Sequence, residues 1–215
     1  MKLASGIALV ALCAGTCAHA AAVAEQELAL VLGSTADSTH GEQLFQLCAP
    51  CHGADGRGGL KGDAPVLAHQ HRSVIAKQLV DFRHGRRLDP RMEGMANKHH
   101  LATTQDMADV VSYVSRLPAP NANALGDGRL VAQGAQVYAA RCATCHGRGA
   151  EGDDRSMTPR LAGQNYNYLL RQMYAAVDGR RSNLGTEHVA LLKRLDAEDF
   201  LGVSDYLSRL GRGFN

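Results

Sequence analysis

The run Cys48-Ala49-Pro50-Cys51-His52 limits what this chain can fold into more than any other stretch. C-x-x-C-H is the attachment signature of a c-type haem. Two thiols one turn apart can each form a thioether to one vinyl group of the same porphyrin. The histidine that follows then lies under the ring and offers a nitrogen to the iron. The run returns as Cys142-Ala143-Thr144-Cys145-His146, and beyond the first twenty residues the chain has no other cysteine. A zinc site or a disulfide is the alternative. Zinc pairs usually lack the adjacent histidine and need two further ligands at finger spacing. The sequence therefore predicts two covalently bound haem c groups, attached through Cys48 and Cys51 and through Cys142 and Cys145.

Aromatic residues make up 5% of the 215-residue chain and there is no tryptophan. A chain so poor in large side chains builds a modest core, and two haems would supply much of the missing apolar surface. The formal charge of +2 points to no nucleic-acid partner. The start reads as a secretory signal: Lys2, an apolar run from Leu3 to Ala18, then Ala18-His19-Ala20 as a small-x-small cleavage site near Ala20. The run is too short and too rich in Gly and Ala for a spanning helix, which disfavours an uncleaved anchor. Cys17 as a lipid-attachment site sits in a poor context, Ala14-Gly15-Thr16.

The remainder is one unit written twice. Pro65-Val66-Leu67-Ala68-His69-Gln70 matches Pro159-Arg160-Leu161-Ala162-Gly163-Gln164. Helical patterns follow at 73–84 and 166–178, each ended by Gly85-Arg86-Arg87 or Gly179-Arg180-Arg181, with the glycine placed as a helix stop. Each copy closes with a capped helix, Thr103-x-x-Asp106 or Asp196-x-x-Asp199. Met107, Val110, Val114 and Leu117 form one face of the first, and Phe200, Val203, Leu207 and Leu210 one face of the second. Ahead of the cysteines, Gly41 and Phe45, and Gly134 and Tyr138, are placed to let an opening helix cross the closing one closely, against Tyr113 and Tyr206. Generic helix faces would look the same. A repeat this long is a duplicated domain. The fold class is all-α, two small helical domains in tandem, each wrapped around one haem. The divisions are a signal peptide at 1–20, an N-terminal extension at 21–40, domains at 41–117 and 127–215, and a Pro/Asn/Ala-rich linker at 118–126. The extension carries a short helical pattern, Ala24 to Leu32, and no role is evident for it beyond a docking tail.

A haem iron held by His52 or His146 has a second face, and methionine, histidine or a vacancy there imply different chemistry. The repeat serves as a ruler. Between Arg181 and Asp196 the second copy has no methionine, Met157 lies too close to His146, and Met173 falls inside a helix. His188 stands eleven residues before Asp199, and the same count back from Asp106 reaches Met95. The expected axial pairs are therefore His52/Met95 and His146/His188. Met92 rivals Met95, with His84, His99 and His100 as lesser alternatives. A thioether favours reduced iron, so the first haem should have the higher potential and electrons should run downhill from the second to the first.

From about Gly41 to Leu210 the chain resembles the tandem dihaem class I cytochromes c of the cytochrome c4 type. The resemblance rests on the two C-x-x-C-H-G runs, the Pro-x-Leu-Ala-x-Gln segments and the glycine–arginine turns. It implies a soluble or membrane-associated periplasmic electron carrier that feeds a terminal oxidase or draws on a dehydrogenase. His188 departs from the family pattern, which has methionine there, and this puts a high potential for the second haem in question.

Three functions follow from these residues. An electron carrier needs no vacant coordination site. A cytochrome subunit of a periplasmic dehydrogenase or sulfur-compound oxidoreductase would look the same in sequence. A dihaem enzyme would need His188 to be displaceable, and no clustered acid, base or nucleophile surrounds it to support turnover. The paired arginines could steer an acidic partner or pair with haem propionates, although solvated turn residues are the plainer reading. Oligomeric state and redox partner are not written in these patterns.

Overall fold

Helix periodicity and capping chemistry account for nearly all of the architecture. The computed structural model describes residues 21–59 and 61–211; the signal peptide expected at 1–20 and the cleavage site expected near Ala20 lie outside them. Residues 21–33 form α1. The first half continues with α2 (Ser38–Phe45), α3 (Ala49–His52), α4 (Arg72–Arg83), α5 (Pro90–Ala96) and α6 (Thr104–Ser115). The second repeats five of these as α7 (Val131–Arg141), α8 (Ala143–His146), α9 (Tyr166–Val177), α10 (Thr186–Leu192) and α11 (Ala197–Arg209). Among the described residues the only strand-like pairing is an isolated bridge between Asp153 and Thr158.

Both closing helices start in full capping boxes. The Thr103 and Asp196 side chains accept from the backbone N–H of Asp106 and Asp199, whose carboxylates reach back to the cap N–H. The opening helices cross them at glycine. A Cβ on Gly41 would stand 2.1 Å from the Asp109 carbonyl oxygen, and one on Gly134 2.0 Å from that of Gly202. The backbones thus touch where a side chain would otherwise hold them apart. Beside each crossing an aromatic pair seals the contact: Phe45 with Tyr113 and Tyr138 with Tyr206, both at 5.6 Å between ring centres. The predicted faces of α6 and α11 are the buried ones, with Met107, Val110, Val114, Phe200, Val203 and Leu207 all in the core.

Two segments differ from what the sequence led us to expect. The helix at 21–33 is not a free tail. Ala24, Leu28 and Val31 are buried in the core of the first half. Glu27 pairs with Arg83 and His84, and Arg72 donates to the carbonyls of Val31 and Leu32. The connecting segment after Pro118 is likewise pinned. Asn123 donates to the carbonyls of Gln164 and Ser208, and the Gly128 N–H donates to Asp205 at 2.6 Å.

Candidate functional site

Each C-x-x-C-H run is wound into a single helical turn. The His52 N–H donates to the Cys48 carbonyl and the His146 N–H to that of Cys142, both at 3.0 Å. This winding sets the two cysteines of each run about one turn apart, with the histidine following. Cys48 and Cys142 are half-buried, and Cys51 and Cys145 are exposed. Burial pushes the Cys48 and Cys142 thiols up to about 11, and the neighbouring cysteine adds to it. All four are free thiols, and among the described residues no three His, Cys, Asp or Glu side chains converge as a closed zinc site requires.

The two histidines are buried and oriented alike. His52 Nδ1 lies 3.2 Å from the Pro65 carbonyl oxygen and His146 Nδ1 lies 3.1 Å from that of Pro159. A carbonyl only accepts, so each Nδ1 carries the proton and each Nε2 presents its lone pair. Burial holds both imidazoles below their usual range, so the neutral, ligating form is favoured. This is how a metal-binding imidazole is normally fixed in tautomer and direction.

Across from His146 stands His188, on α10. The two ring centres are 6.1 Å apart. That separation would leave room for an iron held by both rings, at imidazole–metal bonds of about 2 Å each. In the first half, Met92 and Met95 lie three residues apart on α5 and therefore share one side of the helix. The ruler's anchors, Asp106 and Asp199, occupy the same third position of their capped helices. A second count gives a different answer. His188 is third of seven residues in α10, and Met92 is third of seven in α5. The counts diverge because seven residues join α5 to α6 and four join α10 to α11. That longer connection carries the exposed His99 and His100; His84 is engaged with Glu27 on α1. Met157 packs against the core of the first half, and Met173 against the two core clusters of the second.

The arginine turns correct the reading as solvated residues. Arg180 is exposed as expected. Arg87, by contrast, is buried, and it donates to Gln78, to Tyr168 Oη at 2.9 Å and to Gln172. Arg181 has a buried Nε with no partner. Burial, and then the charge of Arg87, pull its guanidinium down to about 10. Two guanidinium groups thus meet between the halves with too few anions around them. Carboxylate side chains of a bound porphyrin would supply the missing charge. With four thiols, two aimed imidazoles and this cation pair, the residues fit two haems. Sequence reasoning missed the burial because it depends on packing between distant halves.

Such a fold, five helices laid twice around a thiol–thiol–imidazole turn, defines a cytochrome c. The cytochrome c family profile matches residues 38–118 and 131–210, and the chain belongs to that family. Within it the chain is cytochrome c4-like, with two covalently bound haem c groups. It is 30% identical over 203 residues to a thiosulfate dehydrogenase electron acceptor of Stutzerimonas stutzeri, covering 86% of this chain and 92% of that protein. It is 28% identical to a cytochrome c4 of Pseudomonas aeruginosa, covering 85% and 96%. Reduced recombinant cytochrome c4 from Pseudomonas stutzeri superposes with a TM-score of 0.72 at 26% identity, over 82% of this chain and all of that one. Thiosulfate dehydrogenase from Marichromatium purpuratum superposes with a TM-score of 0.70 at 30% identity, over 82% of this chain and 41% of that one.

Proposed function

We propose that this dihaem protein is a periplasmic electron carrier whose two irons are both closed by protein ligands, His52/Met95 in the first half and His146/His188 in the second. The facing imidazoles of His146 and His188 carry the reading. Haem c supplies a one-electron iron couple; the protein's part is to set ligand, dielectric and solvent access. The carbonyls of Pro65 and Pro159 hold the proximal rings in one tautomer. A His188 ligand leaves no vacancy for substrate, which favours transfer over turnover. Imidazole in place of a thioether lowers the potential of the second haem, so electrons pass from the second to the first.

The partners are a donor dehydrogenase and a terminal oxidase. The relative in S. stutzeri is named for accepting electrons from thiosulfate dehydrogenase, and a FixP subunit of a cbb3-type oxidase in Sinorhizobium medicae is 30% identical over 57% of this chain. A role as the cytochrome subunit of such a dehydrogenase is the second reading, favoured by the match to part of the M. purpuratum enzyme. No helix among the described residues is long and apolar enough to cross a membrane.

Low-temperature electron paramagnetic resonance with near-infrared magnetic circular dichroism tests the ligands. One bis-imidazole and one imidazole–thioether haem are expected. Two imidazole–thioether haems, or carbon monoxide binding at once to the reduced second haem, would overturn the assignment. For the first haem, Met95→Ala should abolish the methionine signature and Met92→Ala should spare it; the reverse would make Met92, favoured by its place in α5, the ligand.

A further inference from the structure

The matched Pro-x-Leu-Ala-x-Gln segments meet across the boundary between the halves. Gln164 Oε1 accepts from the Val66 N–H at 2.7 Å, and Gln164 Nε2 donates to the Val66 carbonyl at 2.9 Å. The same pair is made in reverse: Gln70 Oε1 accepts from the Arg160 N–H and Gln70 Nε2 donates to the Arg160 carbonyl, both at 2.9 Å. Val66 and Arg160 are equivalent in the repeat, as are the two glutamines, so the contact has an approximate twofold axis. Each carboxamide is also locked by its own chain, since Oε1 accepts from the N–H of the next residue, Asn165 or His71. An oxygen that receives two N–H groups cannot be exchanged for the amide nitrogen, which fixes its orientation.

Val66 and Arg160 follow the prolines whose carbonyls hold the haem-binding histidines. The peptide joining Pro65 to Val66 accepts from His52 at its oxygen and donates to Gln164 at its nitrogen. The peptide joining Pro159 to Arg160 does the same between His146 and Gln70. Hydrogen bonds at the two ends of one peptide polarise each other. We propose that Gln70 and Gln164 are positioning residues, each acting through one peptide group on the proximal histidine of the opposite half. The proposal rests on His52 and His146 being the iron ligands.

The sign follows from the chemistry. An acceptor on the peptide N–H makes its carbonyl oxygen more negative and strengthens the pull on the imidazole proton. The imidazole becomes a stronger electron donor, and oxidised iron is favoured. Removing Gln164 therefore raises the potential of the first haem, and removing Gln70 raises that of the second. Gln164 is buried and Gln70 half-buried, so the first effect is the larger.

The test is spectroelectrochemistry of the loaded full chain carrying Gln164→Leu or Gln70→Leu, with paramagnetic resonance of each variant to verify axial ligation. Gln164→Leu should shift the reduced-to-oxidised ratio of the first haem by two- to tenfold, up to about 59 mV for one electron, and leave the second nearly unmoved. Gln70→Leu should give the mirror result. Gln164→Glu keeps an acceptor for the Val66 N–H and should return the first haem to its original potential or below it. The proposal is overturned if ligation is unchanged and the potentials do not move, if each variant moves the haem of its own half, or if both haems shift together as the halves come apart in small-angle scattering. If the unsubstituted protein lacks histidine ligation, the ligand reading itself falls, and the resonance spectra separate that outcome from the others.

Discussion

The two halves share the turn that carries the thiols and the histidine, and they differ in the residue proposed to close the iron from the other side. Both wind the cysteines into one turn, both fix the histidine on a proline carbonyl, and both cross their terminal helices at a glycine. The ligands proposed for the other side of each iron differ. The first half has two candidate thioethers on α5, the second an imidazole on α10 beside His146. The first half also buries one continuous core that includes α1, whereas the second buries two smaller clusters. The backbone winding of the turn sets the spacing of both thiols and the histidine, and it is the same in the two halves although Pro50 in one is Thr144 in the other. The distal element needs only to bring a donor atom within reach, so it can change residue type without disturbing the fold.

Exchanging the distal donor tests this contrast most severely. His188→Met should raise the potential of the second haem by on the order of 100 mV, within the roughly 0.8 V that axial ligands span. The two midpoints should then converge in a redox titration. If they are already equal in the unsubstituted protein, the halves do not differ where it matters for electron flow.

The shared crossing should be equally sensitive in both halves. Gly134→Ala and Gly41→Ala each drive a methyl into backbone, at a cost of about 1–3 kcal/mol or more. Guanidinium unfolding followed at each haem should show each variant lowering the midpoint of its own half. A neutral Gly134→Ala would mean that the helices can separate slightly there without loss.

The smallest expected effect concerns the helix that only the first half has. Burial raises the Glu27 carboxyl, but hydrogen bonds from His84 and Arg83 and the Arg83 charge outweigh it, and the group sits below the usual carboxylate range. A depressed carboxyl contributes stability above its unfolded value of about 4.3 and loses it as the pH falls through the folded value. Protection of 21–33 against hydrogen exchange, taken relative to the intrinsic rate at each pH, should therefore fall in acid, below about pH 4, before that of the rest of the chain. Glu27→Gln should remove that pH dependence.

What the sequence revealed about these halves was whatever is encoded locally. The C-x-x-C-H turns, the capping residues Thr103 and Asp196, and the glycines Gly41 and Gly134 act on atoms a few residues away or on one periodic face. The role of α1 was harder to see, although Ala24, Leu28 and Val31 follow helical spacing, because its partners Arg83 and His84 lie more than fifty residues on. Arg87 looked like an ordinary turn residue because its burial comes from the opposite half, through Tyr168 and Gln172. The repeated glutamines were visible as a match between copies, but a repeat does not show that each copy bonds the other. Met92 and Met95 stay in competition because the connection after α5 has a different length from its counterpart.

The exchange of glutamines has a practical bearing on how such a protein can be studied. Either half subcloned alone would lack the acceptor that Val66 or Arg160 borrows from the missing one. Its haem would report a different environment from the one it has in the whole chain. Potentials measured on separate fragments therefore do not add up to those of the intact molecule.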